Sequence, residues 1–190
     1  MILPRMKIEA IILAAGHSSR FGSNKLILEI EGLTVIERCL LSMYDYCSRI
    51  IVVGGHRIED LYEPLREYPK VDLIYNKDYH LGMFVSVKCG LRALKGDKFF
   101  LTPGDYPMID KSTCGYMLEV SEDIVLPSYR GKNGHPVLMK SHLINEILAN
   151  ESLNSLRDFI KIKGSANLEV ADPGILLDID TLEDYEKITQ

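Results

Sequence analysis

The feature that most constrains the fold is a rhythm of short apolar runs separated by longer amphipathic stretches. The runs are IEAIILAA (8–15), RIIVVGG (49–55), VDLIY (71–75), KFFLTPGD (98–105), DIVLPS (123–128), HPVLMK (135–140) and GILLDID (174–180). Most place branched apolar residues side by side instead of alternating them with polar ones, which marks strands buried on both faces, as in a parallel sheet. Helices are predicted between them over 34–46, 58–68, 83–94, 111–120, 141–149, 155–163 and 181–188. Val35, Cys39, Leu40 and Met43 share one face of the first, as do Val87, Leu91 and Leu94 in the third. Pro64 lacks an N–H and shortens or kinks the second. Thr181, with Asp184 three residues on, resembles a capping box at the start of the last. Strand–helix alternation of this kind predicts an α/β three-layer fold with a mostly parallel central sheet and right-handed crossovers. The stretch 128–140 breaks the rhythm: strand, glycine-rich turn, strand. Such excursions from α/β domains often serve ligands. No repeat, linker or low-complexity tract divides the 190 residues, so one domain over 1–190 is expected.

Charge and cysteine content narrow the classes. With 22 basic and 27 acidic residues the chain carries a net charge of −5. That argues against broad nucleic-acid binding, which rests on Lys and Arg neutralising phosphates. It leaves room for a small phosphorylated ligand, which needs only local positive charge. Cys39, Cys47, Cys89 and Cys114 form no C-x-x-C pair, and no H-E-x-x-H occurs, so zinc-site readings lack support. The cysteines read as scattered, mostly buried thiols of a reducing, cytoplasmic setting. No apolar run approaches the roughly 18 residues of a membrane span. Arg5 and Lys7 ahead of the apolar 8–15 faintly mimic a targeting signal, but Glu9 interrupts the run, and a buried first strand is the better reading.

Three clusters at strand ends carry chemistry. The first strand runs into Gly16-His17-Ser18-Ser19-Arg20-Phe21-Gly22-Ser23-Asn24-Lys25. Its Gly and Ser residues permit close backbone approach and offer N–H groups to an anion, Arg20 and Lys25 add positive charge, and 14–25 contains no acid. It is not a Walker A loop, because Phe21 stands where the second glycine belongs, nor G-x-G-x-x-G, because position 18 is Ser. A plain polar turn is the alternative reading. Next, Leu101-Thr102-Pro103-Gly104-Asp105-Tyr106-Pro107 ends an apolar strand on a carboxylate, well placed to hold Mg²⁺ beside nucleotide phosphates, although Pro-Gly-Asp is also a common turn. Finally, the alternation of Asp178-Ile179-Asp180 puts both carboxylates on one side, where they complete a metal site or where Asp180 merely caps the following helix.

Taken together these blocks become specific. LAAGHSSRFGSNK (13–25) resembles the L-A-A-G-x-S-x-R-[MF]-G-x-x-K pattern of MobA-like nucleotidyltransferases. Asn76-Lys77-Asp78-Tyr79, Gly82-Met83, Ser86 and Gly90-Leu91 resemble the family's next block. Gly104-Asp105-Tyr106-Pro107 is similar to its G-D-[MQ]-P, 134–138 to its G-H-P-V-L, and Asp172-Pro173-Gly174 through Asp184-Tyr185 to its last motif. Ala14-Ala15-Gly16, where guanylyltransferase relatives read A-G-G, makes the molybdenum cofactor cytidylyltransferases the best match. Leu182 departs from the usual Pro, Phe84 and Val85 replace smaller residues, and 151–157 holds no recognisable Gly-Asp-x-Gly-x-Arg stretch on the acceptor side.

The resemblance implies a three-layer Rossmann-like (GT-A-like) nucleotidyltransferase. It would transfer CMP from CTP to molybdopterin or the molybdenum cofactor with Mg²⁺, releasing pyrophosphate. It further implies that Arg20, Lys25 and Asp105 are catalytic, and that Leu13, Ala14, Ala15, Gly16, His17, Ser18, Gly82 and Ser86 bind nucleotide. Asp105 with Asp178 or Asp180 would hold metal, and His135 would face the acceptor. Alternatives are a different base or phosphorylated acceptor (GTP, or a sugar phosphate, whose enzymes usually carry Pro where Asn24 stands), or a non-catalytic module that delivers cofactor to a molybdoenzyme. Neither nucleic acid nor membrane is an expected partner.

Overall fold

The structure, a computed structural model, describes residues 6–16 and 24–189. Strand β1 (Ile8–Ala14) is followed by a short hairpin of β2 (Glu29–Ile30) and β3 (Leu33–Thr34), helix α1 (Val35–Leu41), β4 (Arg49–Gly54), α2 (Tyr62–Leu65), β5 (Val71–Tyr75), α3 (Met83–Ala93), β6 (Lys98–Pro103) and α4 (Lys111–Glu119). The second half holds β7 (Ile124–Tyr129), β8 (Lys132–Asn133), β9 (Val137–Lys140), α5 (Ile144–Ala149), α6 (Leu156–Lys163), β10 (Ala166–Glu169) and α7 (Leu182–Thr189).

The main sheet runs β10-β7-β9-β6-β1-β4-β5, with β8 beside β7. Strands β5, β4, β1 and β6 are parallel, β9 is antiparallel to β6 and β7, and β10 is parallel to β7. The mostly parallel three-layer architecture is as predicted, and the excursion at 128–140 supplies the antiparallel strands. Its tip turns through Arg130 and Gly131, both at positive φ (51° and 76°), the two-residue geometry that suits the twist of a hairpin.

Side-chain alternation along the central strands explains the layers. Ala10, Ile12 and Ala14 of β1 point into one apolar cluster with Ile36 and Leu40 of α1 and Cys114 and Met117 of α4. Ile11 and Leu13 point into the other, with Val87 and Leu91 of α3, Ile147 of α5 and Phe159 of α6. Phe100 and Phe99 of β6 split between the two clusters, each fully buried. Burying such a ring contributes roughly 1.5–3 kcal/mol. Three of the cysteines are buried, Cys89 is half-buried, and all four are free thiols.

Several boundaries differ from expectation. The apolar run 174–180 is not a strand: Pro173–Leu176 forms a 3₁₀ turn, and the extended tail beyond it is tied to the sheet region by Ile179 N–H donating to the Asp105 carbonyl at 3.0 Å. Strand β10 was not foreseen; ANLE is short and half-exposed, with no apolar run to announce it. The helix expected over 58–68 is a 3₁₀ turn, Ile58–Leu61, followed by the single-turn α2 containing Pro64. Helix α1 stops at Leu41, before a run of turns. Among the described residues no helix is long and apolar enough to cross a membrane.

Candidate active site

The order β5-β4-β1-β6 reverses direction between β1 and β6, the crevice where open α/β sheets place ligands at strand carboxyl ends. Both charged loops leave the sheet there. Arg20, His17 and Ser18 lie outside the described residues, so the structure says nothing of their placement. The chain is fixed again at Asn24, which is buried. Its Oδ1 accepts the Leu26 N–H (3.2 Å), capping a 3₁₀ turn, and its Nδ2 donates to Asp60 Oδ2 at 3.2 Å. Lys25 opens that turn and is thereby aimed across the crevice.

On the other side, Gly104 N–H donates to the Leu13 carbonyl at 2.9 Å, locking the loop after β6 to the end of β1. A Cβ at Gly104 would lie 2.8 Å from Ile36 Cδ1, so the close approach calls for glycine. Asp105 follows at once. The Lys25 ammonium donates to Asp105 Oδ2 (2.6 Å) and Asp180 Oδ1 (3.0 Å), with only 15% of the lysine side chain and 17% of the Asp105 side chain exposed. Burial works against the ammonium's charge, but the two carboxylates outweigh it and hold its pKa above the ordinary lysine value. Burial, joined by the negative charge of Asp105 and Asp180, lifts the carboxyl of half-buried Asp178. The Tyr106 phenol is pushed far upward, first by burial and then by Asp178, Asp105 and Asp180. Three carboxylates and Lys25 thus share one field. The extended 178–180 segment brings Asp178 and Asp180 there without being a strand.

At this end of the sheet, Asp105 Oδ1 and His135 Nδ1 are buried without a hydrogen-bond partner among the described residues. An unpartnered buried carboxylate oxygen is the donor a hard cation takes, and Mg²⁺ commonly uses only one or two carboxylates beside phosphates and water. The residues present therefore fit such an ion, although among the described residues no three His, Cys, Asp or Glu side chains converge into a ready-made metal cage. His135 hangs from Ile175, its N–H donating to that carbonyl at 2.9 Å, and its ring packs 4.7 Å from that of Tyr106. Burial pushes its pKa down to about 4, so the imidazole is neutral near pH 7.

Leu13, Gly82 and His135 line a pocket of about 780 Å³ on the α3–α6 side of the sheet, together with Phe84, Leu126 and Arg157. Ala14 and Ala15 are buried at the end of β1, and Gly16 is exposed. Ser86 is 2% exposed and accepts a hydrogen bond from Asn76 Nδ2 at 3.0 Å, so it sits behind the pocket wall. The sequence reading did not single out Asn76, Tyr106 or Arg157 as site residues. Asn76 and Tyr106 stood inside recognised blocks, and Arg157 in the stretch that matched no pattern.

Comparison with known proteins identifies the family and supports the fold. The MobA-like NTP transferase domain matches residues 10–170. Molybdenum cofactor cytidylyltransferase of Escherichia coli (strain K12) is 31% identical over 179 residues, spanning 94% of this chain and 93% of that protein. A probable molybdenum cofactor guanylyltransferase of Bacillus cereus (strain AH187) is 26% identical over 190 residues, 94% of each chain. A solved nucleotidyl transferase from Methanothermobacter thermautotroptrophicus superposes with a TM-score of 0.82 at 26% identity, covering 97% of this chain and 96% of its own. Pattern, topology and relatives converge, and the chain belongs to the MobA-like NTP transferase family, a nucleotidyltransferase on a GT-A-like sheet.

Proposed function

We propose that this chain transfers CMP from CTP to the phosphate of molybdopterin or its molybdenum-bearing form, with pyrophosphate leaving. The observation that carries this reading is the Lys25 ammonium held between Asp105 and Asp180 at the sheet's switch point. Nucleotidyl transfer needs little covalent help; it needs the α-phosphorus positioned and its developing charge neutralised. Lys25 is the cation for the α-phosphate. Arg20 is the cation assigned to the β- and γ-phosphates and the departing pyrophosphate. Backbone N–H groups of Gly16, His17 and Ser18 hold the triphosphate. The backbone at Leu13, Ala14 and Ala15, with Gly82 and Ser86, reads the base. Asn76 donates to Ser86 Oγ, which fixes this buried hydroxyl behind the wall that the base would meet. Asp105, with Asp178 or Asp180, would hold Mg²⁺, which supplies charge neutralisation at the phosphate oxygens when bound. His135, neutral, faces the acceptor.

The whole chain serves as one domain in this reading, because Asp178 and Asp180 lie beyond residue 170 and complete the cluster. Four free thiols suit a cytoplasmic setting, and a molybdoenzyme is the natural recipient of the product. The choice of CTP is supported by Ala15, where guanylyl relatives carry glycine, and by the likeness to the Escherichia coli protein.

The test is pyrophosphate release with each of the four nucleoside triphosphates, with and without Mg²⁺ and molybdopterin. Release with CTP plus acceptor alone supports the reading. Release with GTP alone replaces the base. Tight nucleotide binding without turnover turns the protein into a carrier.

A further inference from the structure

Asp178 and Asp180 stand on a tail that no strand ladder holds: among the described residues the last strand, β10, ends at Glu169. The tail is clasped upstream, at Asp172. This residue is 8% exposed, and its two carboxylate oxygens serve different segments. Oδ1 accepts the Gly174 N–H at 2.8 Å and caps the 3₁₀ turn that begins the tail. Oδ2 reaches the first turn of α4, accepting the Asp110 N–H at 2.9 Å and the Thr113 hydroxyl at 2.8 Å. A carboxylate accepts on both oxygens, whereas an amide would turn one of these arms into a donor. All three donors are neutral, and the charge rests against a helix N-terminus, where it is favoured. Because α4 follows the loop that begins at Asp105, the clasp ties the tail to that loop. Backbone seats backbone beside it. A Cβ at Gly174 would lie 1.8 Å from the Met108 carbonyl oxygen, and one at Gly134 would lie 2.3 Å from the Ile175 carbonyl oxygen. The turn is thus wedged between the Asp105 loop and the residues leading into β9. Further along, Ile179 is fully buried and its N–H donates to the Asp105 carbonyl at 3.0 Å.

We infer that Asp172 is a positioning residue for nucleotidyl transfer: by clasping the tail to α4 it sets where Asp178 and Asp180 stand relative to Asp105 and Lys25. The inference rests on the nucleotidyl-transfer reading and deepens it, naming the group that fixes the carboxylates that would hold the divalent cation. Asp172 acts only through the tail, since both of its oxygens are engaged by the protein itself.

Asp172→Asn tests this, because its carbonyl oxygen keeps the cap on Gly174 while its amide group turns a donor toward the Asp110 N–H and opens the clasp. In the nucleotide-free protein, Mn²⁺ alone should bind the variant about tenfold or more weakly than the wild type, read by electron paramagnetic resonance, the scale of losing a group that orients metal ligands. Thr113→Val removes one donor and keeps the shape; it should weaken Mn²⁺ by a smaller factor, and it carries the test if Asp172→Asn does not fold. In transfer assays Asp172→Asn should lower kcat about tenfold, with KM for CTP and for molybdopterin within a few-fold. Ile147→Val, a core change in the opposite layer, should lower the urea midpoint and leave both Mn²⁺ affinity and kcat unchanged. Wild-type Mn²⁺ affinity in the folded Asp172→Asn protein, or in Thr113→Val if only that variant folds, overturns the inference and leaves Asp172 a purely structural clasp. A wild type that binds no Mn²⁺ overturns it too, as does a rise in KM with kcat intact. Failure of the wild type to transfer any nucleotide sinks the functional reading instead, because the Mn²⁺ arm is read by binding alone.

Discussion

The two sides of β1 solve the problem of polyanion handling in different ways. On the α1–α4 side, Lys25 is already engaged by Asp105 and Asp180, so its ammonium is oriented before any substrate arrives. On the α3–α6 side, Arg157 and Lys161 stand on an exposed helix face over an apolar floor, with no carboxylate in the wall among the described residues. The first arrangement is preorganised, which is what transition-state charge demands. The second leaves its cations without a carboxylate partner among the described residues. The difference teaches that the acidic balance of the chain is local: the carboxylates that could gather a metal sit with Lys25, and among the described residues none lines the α3–α6 pocket.

The sharpest way to break this contrast is to remove the preorganised cation. Lys25→Ala should lower turnover about 10²- to 10³-fold, the scale seen when one aligned charge-stabilising donor is lost. Acceptor KM should stay within a few-fold. Steady-state pyrophosphate release measures both, and a variant that loses acceptor affinity with kcat intact would merge the two regions into one. In the nucleotide-free protein the same substitution should tighten Mn²⁺ binding, read by electron paramagnetic resonance, because Asp105 and Asp180 would no longer be satisfied by an ammonium. Asp105→Asn should weaken it.

A second test uses acid. The His135 pKa is depressed in the folded protein, from an ordinary 6.5 to about 4, chiefly by burial. Protonation then favours the unfolded chain, which binds the proton first as pH falls. The stability that depends on neutral His135 is whole above pH 6.5 and is lost as pH drops through the folded value near 4, by on the order of 3 kcal/mol at most. Urea midpoints of wild type and His135→Gln, compared from pH 7 to 4, should converge as pH falls. Parallel curves would show that the imidazole is already charged, or solvated, on the pocket side.

Intermediate in size is the support behind the pocket wall. Asn76→Ala leaves buried Ser86 Oγ without its donor, a loss of about 1–3 kcal/mol in denaturant unfolding. If Ser86 reads the base, KM for CTP should rise more than KM for the acceptor. Equal rises would remove Ser86 from base recognition.

Much of this architecture could be read from residue order, for physical reasons that differ by element. β1, β4 and β6 are buried on both faces, so their apolar runs announce them whatever the neighbours do. β10 is half-exposed and leans on β7, a tertiary partner that local pattern does not reveal. The run at 174–180 misled because Ile175 and Ile179 are buried as anchors of a turn and a tail, and burial alone does not make a strand. In the site, Lys25 and Asp105 were legible because each lies in the loop that follows the carboxyl end of an apolar strand. Arg157 and Lys161 were not, since only the fold brings α6 over Leu13 and Leu101.

The smallest effect tests whether the distant end of the chain contributes rigidity or only ligands. Thr181 Oγ1 donates to Asp184 Oδ2 at 2.7 Å, and Asp184 N–H returns to Thr181 Oγ1 at 3.2 Å, the reciprocal pair that the sequence predicted for the start of α7. Asp184 also accepts from the backbone N–H of Asp180, at 3.2 Å, so the cap holds the backbone of the residue whose carboxylate faces Lys25. Thr181→Ala should cost about 1 kcal/mol of stability, as cap removals do. The Asp180 link survives this change, and Lys25 keeps its shorter contact to Asp105, so turnover should fall no more than a few-fold. A loss approaching that of Lys25→Ala, measured by the same pyrophosphate assay, would mean that Asp180, and not Asp105, sets the position of the ammonium.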